Sequence, residues 1–151
     1  MSRTPLLLAA LSVLAGSLLS VQAAINAQLS RGLGHPVLAA VVSFSAGLAA
    51  LVASALLLGL THPSRAAVAT VPAHAWIAGG LLGAGYMSAN ILLTPRLGTA
   101  AVMSLAISGQ LLTALLLDHF GLLGLVPRAV GVERLVGAAL LLGGVYLITR
   151  Y

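Results

Sequence analysis

Two carboxamides, Gln22 and Asn26, stand one helical turn apart inside an otherwise apolar run. Each offers two N–H donors and a carbonyl acceptor, which is enough to hold a polar solute and nothing that breaks a bond. Such groups are costly in hydrocarbon unless they find partners. Ser12, Gly16, Leu19, Ala23, Asn26 and Ser30 recur at helical spacing on one face, with Gln22 at its edge. Two uses are open to this stripe. One is interhelical hydrogen bonding, worth some tenths of a kcal/mol per bond. The other is contact with a ligand in a central cavity, toward which polar groups inside a membrane tend to turn.

A second polar face carries Gly79, Gly83, Tyr86 and Asn90. The glycines allow close approach of a neighbouring helix, and the phenol and amide follow on the same face. It is the second candidate for solute contact, with packing and a satisfied hydrogen bond as the plainer alternative. Ala39, Ser43, Ala46 and Ala50, with Gly47 beside them, read as a packing face. Further on, Ser104 and Ser108 lie together while Gln110 and Thr113 lie nearly opposite. Gln110 is the costlier group to leave unpaired, so its stripe is favoured for function.

Asp118 falls in what should be the last turn of its helix, where the helix dipole disfavours an anion, with Gly121 as the helix stop. An interfacial ion pair with Arg128 or Arg134 would neutralise it; a coupling or gating role is the alternative. His119 is adjacent but points elsewhere on a helix. His35, His62 and His74 sit at run ends without metal-ligand spacing. There is no cysteine, no paired carboxylate, no nucleophile beside a base and no phosphate-cradling loop. Neither an enzyme nor a cofactor or metal protein is expected.

The elements that must position these groups are apolar runs at residues 5–29, 37–60, 73–93, 98–117 and 131–149. Each is near the roughly 20 residues a helix needs to cross about 30 Å of hydrocarbon. The breaks are Arg31-Gly32-Leu33-Gly34-His35-Pro36, Thr61-His62-Pro63-Ser64-Arg65, Thr94-Pro95-Arg96, and residues 121–128. These are turn formers with a cation, as expected where chain leaves lipid. The third and fourth runs should form a tight hairpin. Barrel strands are excluded, because the runs are twice the length of such a strand and do not alternate. Arg3, residues 6–19 and Val21-Gln22-Ala23 also have the order of a secretory signal. The run continues through Ala24 and Ile25, which favours an uncleaved span.

Composition agrees. Of 151 residues, 60% are hydrophobic and 6% charged, and the mean hydropathy is +1.14. A soluble domain carries roughly a quarter charged residues. The reading is an all-α integral membrane protein, one membrane domain of five helices over residues 1–151. The net charge of +5 comes from isolated arginines rather than a cluster, which argues against a nucleic-acid partner. With five spans, Arg3, Arg65, Arg128 and Arg134 fall on one side, and Arg31, Arg96 and Arg150 on the other. Orientation follows the excess of cations on the cytoplasmic side. Four against three either fixes the N-terminus inside or leaves copies free to insert both ways. Many transporters pair inverted halves; five spans hold no inverted duplicate, so a second, antiparallel copy would have to supply it.

The segments Gln22-Ala23-Ala24-Ile25-Asn26-Ala27-Gln28-Leu29, residues 39–47, residues 76–83, Pro95-Arg96-Leu97-Gly98, Gly109-Gln110-Leu111 and Asp118-His119-Phe120-Gly121 together resemble the YdcZ-type family. So do the closing Arg134-Leu135-Val136-Gly137 and Gly143-Gly144-Val145. The Gln-Leu and Asp-His-Phe-Gly pieces are the most specific. The resemblance implies a five-helix protein of the bacterial inner membrane within the drug/metabolite transporter superfamily. It further implies an exporter of a small-molecule solute, working as half of an inverted-repeat bundle. Dual-topology homodimers and paired, oppositely oriented homologues both occur in that setting. It transfers no catalytic residue. Small multidrug transporters of the superfamily use a membrane glutamate in the first helix; this chain has Gln22 and Asn26 there, which speaks against proton-for-cation exchange by that route. The reading from a different class is a non-transporting accessory or regulatory membrane subunit.

Overall fold

A computed structural model describes residues 3–60 and 63–151, with side chains from Leu6 onward; His62 lies outside the described residues. Among the described residues six α-helices follow in order: α1 (Arg3–Leu33), α2 (Pro36–Leu57), α3 (Arg65–Thr70), α4 (Ala75–Leu97), α5 (Thr99–Phe120) and α6 (Val132–Arg150). A 3-10 turn, Leu122–Gly124, follows α5, and no strand occurs among the described residues. Five helices are long and apolar enough to cross a membrane: Leu6–Leu33, Pro36–Leu57, Ala75–Leu97, Thr99–Phe120 and Val132–Arg150. Leucines such as Leu18, Leu48, Leu81 and Leu140 stand exposed along them. A surface of that kind is stable against lipid rather than water.

Glycine conformation decides where the helices stop. Gly32 does not break α1; Gly34, at φ +76°, does. His35 then caps α2, its Nδ1 accepting the Val37 N–H at 3.2 Å, and Pro36 opens the helix. The segment Thr94-Pro95-Arg96, expected to be a break, is helical. Pro95 lies in the last turn of α4, and the helix continues to Leu97 before Gly98 turns it at φ +84°. A proline there costs one hydrogen bond while its fixed φ still suits a helix. Between α2 and α4 the short α3, unexpected from the sequence, is capped by Ser64, whose Oγ accepts the Ala67 N–H at 3.1 Å.

The chain forms two compact units, Met1–Arg96 and Leu97–Tyr151. In the first, small residues let α1, α2 and α4 meet. Ala39 is 0% exposed, and with Ala40 and Ile91 it makes a core against which Leu29 and Met87 pack. Asn26 reaches Met87, Leu29 packs on the cluster of Ala39, Ala40 and Ile91, and Phe44 faces Gly83. These pairings set the register: α1 and α4 run parallel, and α2 runs against both. Buried positions gather at the end where α1 leads into α2, whereas residues 6–19 of α1 are exposed throughout. The unit is therefore closed at one end.

The packing expectations divide accordingly. A Cβ on Gly83 would lie 3.8 Å from Phe44 Cζ, and Ser43 is half-buried. Gly79 and Gly47 meet nothing within 4 Å of a would-be Cβ, so within one chain they are not packing positions. They lie toward the end where the helices no longer touch.

In the second unit α5 and α6 pack together around a tied turn. Gly121 ends α5 in the left-handed region at φ +60°, and the Arg128 N–H returns to the Asp118 carbonyl at 2.7 Å.

Candidate functional site

Two polar ladders at a spacing of four residues converge on the closed end of the first unit. On α1 they are Gln22, Asn26 and Ser30; on α4, Tyr86, Asn90 and Thr94. That spacing keeps successive members on one helix face. The first member of each is exposed, Tyr86 by 38%, and the two that follow are buried. Asn26 is 3% exposed, and its Nδ2 donates to Met87 Sδ at 3.0 Å. A thioether is a weak acceptor, so this bond orients the amide without using its oxygen. Thr94 is 7% exposed and its hydroxyl has no hydrogen-bond partner among the described residues.

The arrangement offers amides and hydroxyls with no charged group among its buried members: Asn26, Ser30, Asn90 and Thr94. Its chemistry is recognition by hydrogen bonding, with nothing able to attack or to shuttle a proton at neutral pH. Of the positions expected from sequence, the structure brings Asn26 and Asn90 into the interior of one unit and places Gln22 and Tyr86 at its exposed edge. Thr94 was not among them, because it stood in a segment read as loop. The recurrence from Tyr86 to Asn90 to Thr94 is the signal that marks it.

Gln110 and Thr113 belong to the second unit and are exposed; Ser108 is buried. Within the chain it is therefore Ser108, and not Gln110, that lies inside. Ser108 Oγ bonds the Ser104 carbonyl at 3.0 Å, and Ser104 Oγ bonds the Ala101 carbonyl at 3.0 Å. A hydroxyl closed onto its own backbone is buried at little cost; a glutamine amide has no such local partner.

Asp118 pairs with Arg134 at 3.6 Å, both side chains partly exposed. The pair borders an open groove of about 350 Å³ lined by Leu111, Leu115 and Gly137. His119 Nδ1 accepts the Val130 N–H at 3.4 Å on the other side of the turn. An exposed ion pair contributes about 0–1 kcal/mol. Asp118→Asn is accordingly expected to lower stability, measured by thermal unfolding with circular dichroism, by less than about 1 kcal/mol. A larger loss would mean that the pair holds the α5–α6 turn together. No group of histidine, aspartate and glutamate among the described residues is disposed to hold a metal ion.

A family model described as "Putative inner membrane exporter, YdcZ" matches residues 7–147. No curated protein and no solved structure matches the chain.

Proposed function

The chain belongs to this family of inner-membrane exporters, and we propose that it carries a small solute across the bilayer as an antiparallel pair of copies. It is a multi-pass inner-membrane protein. The observation that carries the transport reading is the buried, uncharged set Asn26, Ser30, Asn90 and Thr94 behind the exposed Gln22 and Tyr86. Polar groups held inside a membrane bundle mark solute pathways more often than they occur in lipid-facing positions.

Both units act as one membrane domain, and a second copy, or an oppositely oriented homologue, completes the bundle. An exposed Gln110 in a single chain supports this, since an amide against hydrocarbon lacks partners that a neighbouring copy can provide. The odd number of spans and the four-to-three arginine balance support the antiparallel arrangement. Solute would contact Gln22, Asn26, Tyr86 and Asn90 of one copy and Gln110 of the other. The Asp118–Arg134 pair would gate the end of α5.

The test compares small-molecule contents of cells and medium with and without the protein. Solutes moved outward by the wild type should return to the level of cells lacking the protein in Asn26→Leu and Asn90→Leu, with membrane expression retained. If both variants leave every solute difference intact while Gly83→Leu removes the protein's effect, an accessory subunit is the better reading.

A further inference from the structure

We propose that the closed end of the first unit binds a monovalent cation, sodium, between α1 and α4. This goes beyond solute transport: it assigns an ion site, sharing Ser30 and Thr94 with the buried polar set, and it stands or falls by ion binding alone.

The first ground is Thr94. A threonine or serine in a helix ordinarily closes its hydroxyl onto a carbonyl one turn back. Thr149 does so onto Val145 at 2.9 Å, Ser54 onto Ala50 at 2.8 Å and Ser108 onto Ser104 at 3.0 Å. Thr94, more than nine-tenths buried, closes no such bond and finds no other partner among the described residues. A buried hydroxyl left unpaired costs about 1–3 kcal/mol, so the position is held at a cost that a ligand would offset.

The second ground is Pro95. With no N–H, it cannot donate to the Ile91 carbonyl, the acceptor four residues back in α4. Ile91 is 1% exposed, so that carbonyl is deprived of its helical donor where water does not reach it. Together with the Thr94 hydroxyl it gives α4 two oxygen donors within one turn. The neighbouring helix offers the buried Ser30, four residues on from Asn26 as Ile91 is four on from Met87, the residue that Asn26 meets.

Charge selects the ligand. Every donor is a neutral oxygen, and the chain's two carboxylates, Asp118 and Glu133, are in the second unit. Divalent cations are held by carboxylate-bearing sites. The donors also lie in the last two turns of both α1 and α4, where the helix dipoles are negative. An anion is disfavoured there. Freed backbone carbonyls and helix C-terminal ends are the groups that coordinate sodium in interrupted transporter helices. The N-terminus of α2 opposes this field, but His35 takes one of its N–H groups. Arg31 and Arg96 are exposed beyond the site.

The probe is sodium itself, applied to the full chain in lipid nanodiscs. Thermal unfolding is followed in sodium chloride against choline chloride at equal concentration, alongside equilibrium binding of radioactive sodium. Sodium should raise the midpoint saturably where choline does not, and the bound isotope should be displaced by unlabelled sodium. Thr94→Val, which keeps the shape and removes the hydroxyl, should weaken sodium at least about tenfold, the scale on which groups supporting an ion site act. Thr94→Ser should retain binding. Pro95→Ala restores a donor to Ile91, so it should raise the midpoint in choline yet weaken sodium. Two opposite signs from one substitution are not expected of a merely structural proline. Identical behaviour in the two salts overturns the proposal. So does wild-type sodium affinity in Pro95→Ala together with Thr94→Val, or in Pro95→Ala alone if Thr94→Val does not fold. Sodium binding without solute movement would count against transport and leave the ion site standing; solute movement without sodium binding would do the reverse.

Discussion

Replacing Gly121 by valine is expected to lower stability by about 2–5 kcal/mol, summing a left-handed backbone penalty of about 1–2 kcal/mol and an overpacking penalty of about 1–3 kcal/mol. Gly121 ends α5 at φ +60° and ψ 33°, a conformation in which a β-branched residue is a genuine outlier. Space is lacking as well. A Cβ there would lie 2.6 Å from Pro127 Cγ and 3.1 Å from the Leu125 carbonyl. Neither neighbour gives way easily, because one is a proline ring and the other is backbone. Relieving the contact would pull the chain away from the position in which the Arg128 N–H reaches Asp118. The measurement is thermal unfolding in nanodiscs for Gly121→Val beside Gly124→Ala. Gly124 is also at positive φ, +81°, but meets nothing within 4 Å. Gly124→Ala should therefore cost only the backbone part. Equal losses at the two sites would show that the Pro127 contact contributes nothing.

Biasing the arginine balance should abolish solute movement without touching the site. Gly32 and Leu33 are exposed at the end of α1, with Gly32 in open space, and Arg65 is exposed at the start of α3. Gly32→Arg, Leu33→Arg and Arg65→Gln together change the side-to-side count from three against four to five against three. By the positive-inside rule such an excess should select one orientation. Reporters fused after Tyr151, one active only in the cytoplasm and one only outside it, should both respond for the wild type and only one for the triple variant. Copies that all face one way cannot form an antiparallel pair, so solute movement should fall to background. A second variant biased the other way by Arg31→Gln and Arg96→Gln should restore it on co-expression. A triple variant that still transports alone would overturn the antiparallel arrangement. A wild type that lights only one reporter would point to a separate, oppositely oriented partner chain.

Much of this architecture was legible from hydropathy, because a span in lipid must be long, apolar and helical whatever its neighbours are. Five runs became five membrane-length helices. Their ends were less legible. Pro95 and Gly32 look like breaks to a reader of composition, yet a proline in a last turn and a glycine with ordinary helical φ leave the helix intact. The stops fall at Gly98 and Gly34, where φ turns positive. The polar faces were legible as stripes, but which stripe is buried depends on where helices meet. That depends on the smallest residues, Ala39 and Ala40, rather than on the polar ones. Gln110 drew attention as the costlier group, while Ser108 is buried because its hydroxyl is satisfied at home. Thr94 escaped notice because Pro95 and Arg96 beside it marked the segment as a break, whereas it is the last turn of α4.

The helices also differ in length. The apolar stretch Leu6–Leu33 has 28 residues and Val132–Arg150 has 19. At about 1.5 Å per residue, the stretch in α1 spans about 42 Å and α6 about 28 Å, against a hydrocarbon layer of about 30 Å. α6 can stand nearly upright, but α1 must lean or overhang, as any span longer than its bilayer does. Because α1 is fixed to α2 and α4 at its C-terminal end, the lean is taken up by residues 6–19, which are exposed along their whole length. A thinner bilayer increases that tilt and a thicker one reduces it. The separation of α1 from its neighbours at the open end is thus set in part by the thickness of the surrounding membrane, through a mismatch at residues that touch neither ladder.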